Sequence, residues 1–175
     1  IGAADVQSLQ EFVSTTPVGG GIAYVVVTPP LPAGDLAPLL RPHTTLPLCP
    51  IGEQATLEPD CIHILPPTRT IVRFESPDHV VTALQAQPGP IDACFKLLAP
   101  LLGAYGAGVV LGGEGGDGAL GLTHIRAAGG LTAVQDLRSA PANAMPAHAL
   151  ALGPVDLILP VDALATGYPE LDAEL

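Results

Sequence analysis

The chain has 175 residues, 48% hydrophobic and 13% charged, with 17 acidic against 6 basic side chains and a formal net charge of −11. That length suits one domain with a sizeable core, and the whole chain, 1–175, is read as one. With a single lysine, Lys96, and no basic cluster, the composition excludes the phosphate-neutralising surface that nucleic acids and anionic membranes require.

Apolar runs alternate with helix-like stretches along the chain. Ile1-Gly2-Ala3 reads as the end of a strand whose start lies outside the sequence, which points to a domain taken from a longer protein. The β-branched run at 22–28 reads as a buried strand and 46–51 as a short one. CIHIL (61–65), IVRFE (71–75) and VVTAL (80–84) read as three close-spaced strands with PPTR and SPDH as turns, an antiparallel excursion from the main sheet. Over 90–105 the period changes, and Ile91, Cys94, Phe95, Leu98 and Leu102 share one helical face. Then come a strand (107–112), a helix (118–128), a strand (131–135), a helix (143–151), a strand (155–159) and a short helix near 161–165. Gly129, Gly130 and Gly153 stand where helix C-caps are expected. This alternation predicts an α/β fold: a doubly wound, mostly parallel sheet with helices on both faces and a small antiparallel hairpin excursion.

No apolar run reaches the ~18 residues of a membrane span, and no segment has signal-peptide form. The cysteines, Cys49, Cys61 and Cys94, are odd in number and widely spaced, which argues against a disulfide framework and against a zinc site. Cys61 and Cys94 read as buried small hydrophobes, and the expected compartment is the reducing cytoplasm. The five histidines show no zinc-ligand pair on one element.

Ligands of open parallel sheets sit beyond the carboxyl ends of the strands. Four loops lie there: AADVQ (3–7), TPPLPAG (28–34), GGEGGDG (112–118) and DLRSAPANAMP (136–146). Gly113-x-Gly115-x-x-Gly118, with Asp136 eighteen residues beyond it, has the form of a dinucleotide fingerprint. Against that reading, Glu114 and Asp117 put two negative charges where a pyrophosphate would sit. A glycine-rich turn with a helix-capping aspartate explains the same residues.

The second half resembles the catalytic domain of the chemotaxis protein-glutamate methylesterases, the CheB type. The resemblance rests on Gly113, Gly115, Asp117, Gly118, Gly129, Gly130, Gln135, Asp136, Met145, Pro146, Val155, Asp156, Leu159 and Pro160. LEPDCIHILPPTRTIV resembles the family's proline-rich hairpin, with His63 at a tyrosine position, and PIDACF resembles its Ser-x-Asp helix. The resemblance implies a Ser-His-Asp hydrolase that removes methyl groups from receptor glutamates.

At the sites that matter for chemistry the sequence departs from that pattern. The family's first strand ends Ile-Gly-Ala-Ser-Thr-Gly-Gly, and here Ala4 takes the serine position, followed by Asp5. The family's Gln-His-x-x-Pro becomes Thr28-Pro29-Pro30-Leu31-Pro32, so Pro29 takes the histidine position. Asp117 corresponds to the triad acid, and Glu114 replaces an uncharged residue. Alanine offers no nucleophilic oxygen and proline no proton acceptor, and Asp117 has no imidazole to orient.

The expected function is therefore a catalytically degenerate methylesterase-like module in chemotaxis-type signalling. It would use no cofactor and no metal, and its partners would be chemoreceptor, receiver, methyltransferase or sensor-kinase modules. One alternative is an active carboxylic-ester hydrolase with a non-standard site, in which Asp5, Glu114 and Asp117 hold Mg²⁺ or Ca²⁺ or act as acid and base, and Ser8 or Thr28 attacks. Another is nucleotide binding at Gly113–Gly118.

Overall fold

The computed structural model describes residues 1–31, 34–75, 78–85 and 88–166. Parts of the PPLPAG cluster and the SPDH turn fall outside these. In chain order the elements are α1 (Val6–Thr15), β1 (Ala23–Val27), α2 (Leu36–Leu40), β2 (Leu48–Pro50), β3 (Gln54–Thr56), β4 (Cys61–Leu65), β5 (Arg69–Glu75), β6 (Val80–Gln85), α3 (Pro90–Leu102), β7 (Ala107–Val110), α4 (Ala119–Ala127), β8 (Leu131–Gln135), α5 (Ala144–Leu152), β9 (Leu157–Leu159) and α6 (Val161–Thr166).

Two parallel half-sheets, ordered β1-β4-β2 and β7-β8-β9, form the centre of the molecule. Gly2 bridges them, pairing in parallel with Val27 on one side and Val110 on the other. Ala3 N–H donates to Val27 O at 3.2 Å, and Leu111 N–H donates to Gly2 O at 2.9 Å. A side chain at position 2 would collide with Ile91 of α3, so only glycine lets the helix lie this close to the seam. Strands buried on both faces read as continuous apolar runs, as CIHIL and AYVVV do.

Helices cover both faces. On one, Leu9, Phe12 and Val13 of α1 pack with Leu36 and Leu40 of α2, Leu164 of α6 and the Ile62 and Ile64 side of β4. On the other, Ile91, Cys94, Phe95 and Leu98 of α3 pack with Leu122 and Ile125 of α4 and Met145 and Ala149 of α5. The expected face of α3 is thus the one buried, although Leu102 is only half-buried. The doubly wound α/β architecture is the one anticipated from the alternation.

Two sequence expectations change. CIHIL is not part of the antiparallel excursion: β4 pairs in parallel with β1 and β2 and is buried along its length. The antiparallel sheet is instead β3-β6-β5, completed by the short β3 that has no apolar run to announce it. The cysteine reading also changes. Cys49 and Cys61 are joined as a disulfide, with Cα atoms 6.7 Å apart, while Cys94 remains a buried free thiol. Spacing along the chain gave no sign of this. The pairing follows from the parallel register that sets Leu48 opposite Ile62 and Cys49 opposite His63.

Two aspartates cap each other's helices. Asp117, just before α4, accepts the amides of Ile91 (3.0 Å) and Asp92 (2.9 Å) at the start of α3. Asp92, in the first turn of α3, accepts the amides of Gly118 (3.0 Å) and Gly121 (2.6 Å) at the start of α4. Neither helix has a side-chain cap from its own N-cap residue, which is glycine in both. A helix start leaves four N–H groups without intrahelical partners, and this exchange satisfies two at each end while positioning the helices.

A third carboxylate anchors the far half-sheet. Asp156 accepts from Thr132 N (2.8 Å), Thr132 Oγ1 (2.7 Å) and Arg126 Nη1 (2.6 Å), tying the approach to β9 to β8 and α4.

Two stability predictions follow from these carboxylates. Burial, then the neighbouring Asp117 charge, raises the Asp92 pKa against the lowering effect of the Gly121 and Gly118 amides. Stability linked to protonated Asp92 is therefore present below its unfolded pKa and lost as pH rises through the folded value. Asp92→Ala should cost about 1–2 kcal/mol in chemical denaturation by removing the oxygen that accepts two cap hydrogen bonds. Asp92→Asn keeps the acceptor oxygen and should cost about half of that or less. Asp156 behaves oppositely, because the Thr132 hydroxyl first, then the Thr132 amide and Arg126, lower its pKa. Its contribution is present above the unfolded pKa and lost as pH falls through the folded one. Asp156→Asn should cost about 1–2 kcal/mol at pH 7, and the gap from the parent should close below about pH 4.

Candidate functional site

The carboxyl ends of three adjacent strands converge at one place. Residues 1–3 lead into Ala4 and Asp5, β1 leads into Thr28 and Pro29, and β7 leads into the loop Gly112–Gly118. Because Gly2 pairs with both Val27 and Val110, the sequence-predicted residues Ala4, Asp5, Thr28, Pro29 and Gly113 are carried to the same edge of the sheet.

Ala4 forms the turn from this short strand into α1. Its N–H and that of Asp5 both donate to Gly112 O at 3.0 Å. Asp5 is the N-cap of α1, taking Gln7 N–H at 3.3 Å and Ser8 N–H at 3.0 Å on its carboxylate. Ser8 Oγ donates to the same carboxylate at 2.6 Å. Five donors that could face an incoming anion are therefore already used within the chain, three of them by a negative charge. Ser8 is 1% exposed and Thr28 3% exposed, so neither alternative nucleophile stands in the open.

The glycine loop is built for packing. A Cβ on Gly113 would lie 2.6 Å from Ala4 Cβ and close to Met145 Sδ, and one on Gly118 would lie 2.9 Å from Ile91 Cγ2. Protein atoms, not a bound phosphate, fill the space these glycines open. Gly115, at φ +90°, serves the turn itself. Gly112 N–H donates to Gln135 Oε1 at 2.7 Å, and Gly113 N–H donates to Ala142 O at 2.8 Å. Asp136, the candidate ribose ligand, instead accepts Arg138 N–H at 3.2 Å and pairs with its guanidinium at 3.5 Å. The geometry gives the nucleotide reading no support.

Asp117 also differs from expectation. Its place before α4 predicts a cap for its own helix, but it caps α3 while Asp92 caps α4. Both of its oxygens point into backbone amides. Glu114 is exposed in the loop. Asp5, Glu114 and Asp117 do not form a metal-holding group. Among the described residues the side chains close enough for that are Cys49, Cys61 and His63.

Sequence reasoning assigned no structural role to two residues that shape this edge, Asp92 and Gln135. Asp92 had a signal, an acidic residue in the first turn of a Pro-initiated helix, although nothing local names the helix it caps. Gln135 is fully buried, and its role depends on β8 lying beside β7. Burial pushes the Cys94 thiol up to about 11, which leaves it inert as a nucleophile.

The comparisons with known proteins agree with this architecture. The family model described as CheB methylesterase matches residues 1–167. The chain is 33% identical over 135 residues to an uncharacterized 104.1 kDa protein in the hypE 3' region of Rhodobacter capsulatus, covering 74% of this chain and 14% of that protein. It is 34% identical over 130 residues to protein-glutamate methylesterase/protein-glutamine glutaminase 4 of Geobacter metallireducens, covering 71% and 35%. It is 30% identical over 168 residues to the protein-glutamate methylesterase/protein-glutamine glutaminase of Moorella thermoacetica, covering 90% and 39%. The chain thus spans between 14% and 39% of the length of these relatives. The crystal structure of the Thermotoga maritima CheB methylesterase catalytic domain shares its fold, with a TM-score of 0.86 at 20% identity over 97% of this chain and 95% of that one. The chain belongs to the CheB methylesterase family.

Proposed function

We propose that this chain is a catalytically degenerate receptor-methylesterase domain that acts in chemotaxis-type signal transduction as a regulatory or protein-interaction module. It would be one domain of a longer, cytoplasmic signalling protein. Its partners would be chemoreceptor, receiver, methyltransferase or sensor-kinase modules, met through surfaces rather than through turnover.

The observation that carries this reading is the turn at Ala4. A nucleophile there would sit at the strand-to-helix junction, beside β1 and the glycine loop, and Ala4 has no oxygen to supply. The surroundings oppose ester hydrolysis as well. An acyl-transfer transition state needs donors free to meet a developing oxyanion, whereas the Ala4 and Asp5 amides are spent on Gly112 O. The Asp5 carboxylate occupies the start of α1, placing negative charge where more negative charge would have to form. Pro29, in the base position, accepts no proton, and Asp117, in the acid position, is held by the amides of α3. Asp117 is thus retained for helix docking, not for orienting an imidazole.

The assay that tests this is methanol release from methylated chemoreceptors, with an active family member as control. The expected result is background release from this chain while the control turns over. Release above background that disappears in a folded Asp117→Asn variant would overturn the proposal. Under the proposal, Asp117→Asn changes stability alone, by about 1–2 kcal/mol as for a lost helix cap, read as a lowered melting temperature.

A further inference from the structure

The disulfide partners have a third neighbour. Side chains two residues apart on a strand share a face, so Cys61 and His63 point the same way from β4, and Cys49 stands opposite His63 on the adjacent β2. One ligand-capable atom from each of the three, two sulfurs and a ring nitrogen, all lie within 4.8 Å of one another.

The histidine supplies an independent sign. His63 is 2% exposed, and its two ring nitrogens differ. Nε2 lies 3.1 Å from the Glu58 carbonyl and 3.0 Å from the Glu58 amide. Nδ1 is buried and has no hydrogen-bond partner among the described residues. Leaving a buried polar atom unpaired costs about 1–3 kcal/mol, so native chains rarely do it without a reason. The Glu58 amide donates to Nε2 in one tautomer and Nε2–H donates to the Glu58 carbonyl in the other; in the second, the one a metal at Nδ1 selects, Nδ1 carries a bare lone pair. Metal-ligating histidines have this arrangement, with the far N–H held by a carbonyl that fixes tautomer and ring orientation.

We propose that, once reduced, Cys49 Sγ, Cys61 Sγ and His63 Nδ1 form a binding site for one soft divalent cation, best matched by zinc, and that the disulfide is the metal-free alternative of the same site. Two thiolates and an imidazole favour zinc over the hard cations Mg²⁺ and Ca²⁺. Opening the site takes two equivalents of a low-molecular-weight thiol. They are oxidised to their own disulfide, the Cys49–Cys61 bond breaks, and two electrons and two protons leave both cysteines as thiols. Zinc then displaces the two thiol protons. Sulfurs each about 2.3 Å from a tetrahedral zinc stand roughly 3.8 Å apart, a small separation for the short edge strand β2 to accommodate. Cys49 is half-buried on that edge, which gives the ion a way in. This inference is independent of the proposed function, since these residues lie on the sheet edge away from Ala4.

The test uses the full chain, reduced with a phosphine that supplies the same two electrons. Zinc is counted by elemental analysis after dialysis, and Co²⁺ serves as a spectroscopic substitute. The expected result is one zinc per chain, a tetrahedral cobalt spectrum with thiolate charge-transfer bands, and a melting temperature several degrees higher with zinc than without. Cys49→Ser should lose the zinc and the charge-transfer bands while remaining folded by circular dichroism. His63→Tyr, which installs the residue that the family pattern carries there, should lose the zinc as well. If His63→Tyr does not fold, Cys49→Ser decides alone. A reduced, folded parent that takes up no stoichiometric zinc would overturn the proposal. So would a cobalt spectrum without thiolate bands, or zinc uptake unchanged by Cys49→Ser.

Discussion

Three residues at the start of the chain hold the two halves of the sheet together. Ile1, Gly2 and Ala3 hydrogen-bond to β1 on one side and β7 on the other. Neither half-sheet of three short strands has other strand pairing to its counterpart among the described residues. The site edge is a consequence of this seam. The Ala4 turn, the segment after β1 and the glycine loop meet only because the strands feeding them are neighbours. Gly2 is required there because α3 crosses directly over it, and a single methyl group would push Ile91 away.

The same seam accounts for the exchange of caps. With α3 packed over Gly2 and α4 leaving the loop after β7, the two helix starts face each other, and Asp92 and Asp117 each find the other's free amides. Both oxygens of Asp117 are used in docking the two helices. The Asp5 carboxylate also serves packing, because it takes the Gln7 and Ser8 amides and puts negative charge at the start of α1.

The edge of the sheet farthest from the seam follows a different logic. β2 is only three residues long and is tied to β4 by main-chain bonds and by the Cys49–Cys61 link. A short edge strand has little burial to hold it, and a covalent or metal cross-link limits its freedom when the chain unfolds. His63 is buried beside that link.

Much of the fold was legible because it depends on local pattern. The switch from β-branched runs to a 3.6-residue period marked β1, α3, α4 and β8, and the alternation implied a parallel sheet with helices on both faces. That neither Ala4 nor Pro29 carries a nucleophilic or proton-accepting side chain was also plain, since residue identity alone decides it. The sequence by itself determined the fold class, the family and the identity of the side chains at Ala4 and Pro29. Only the tertiary structure decided which strands are neighbours, and with them the parallel placement of CIHIL, the Cys49–Cys61 link beside His63, the helix that Asp117 caps and the burial of Gln135 against the glycine loop. The physical reason is that each of these depends on contacts between segments distant along the chain, set by strand register and helix docking, and no local periodicity or spacing encodes them.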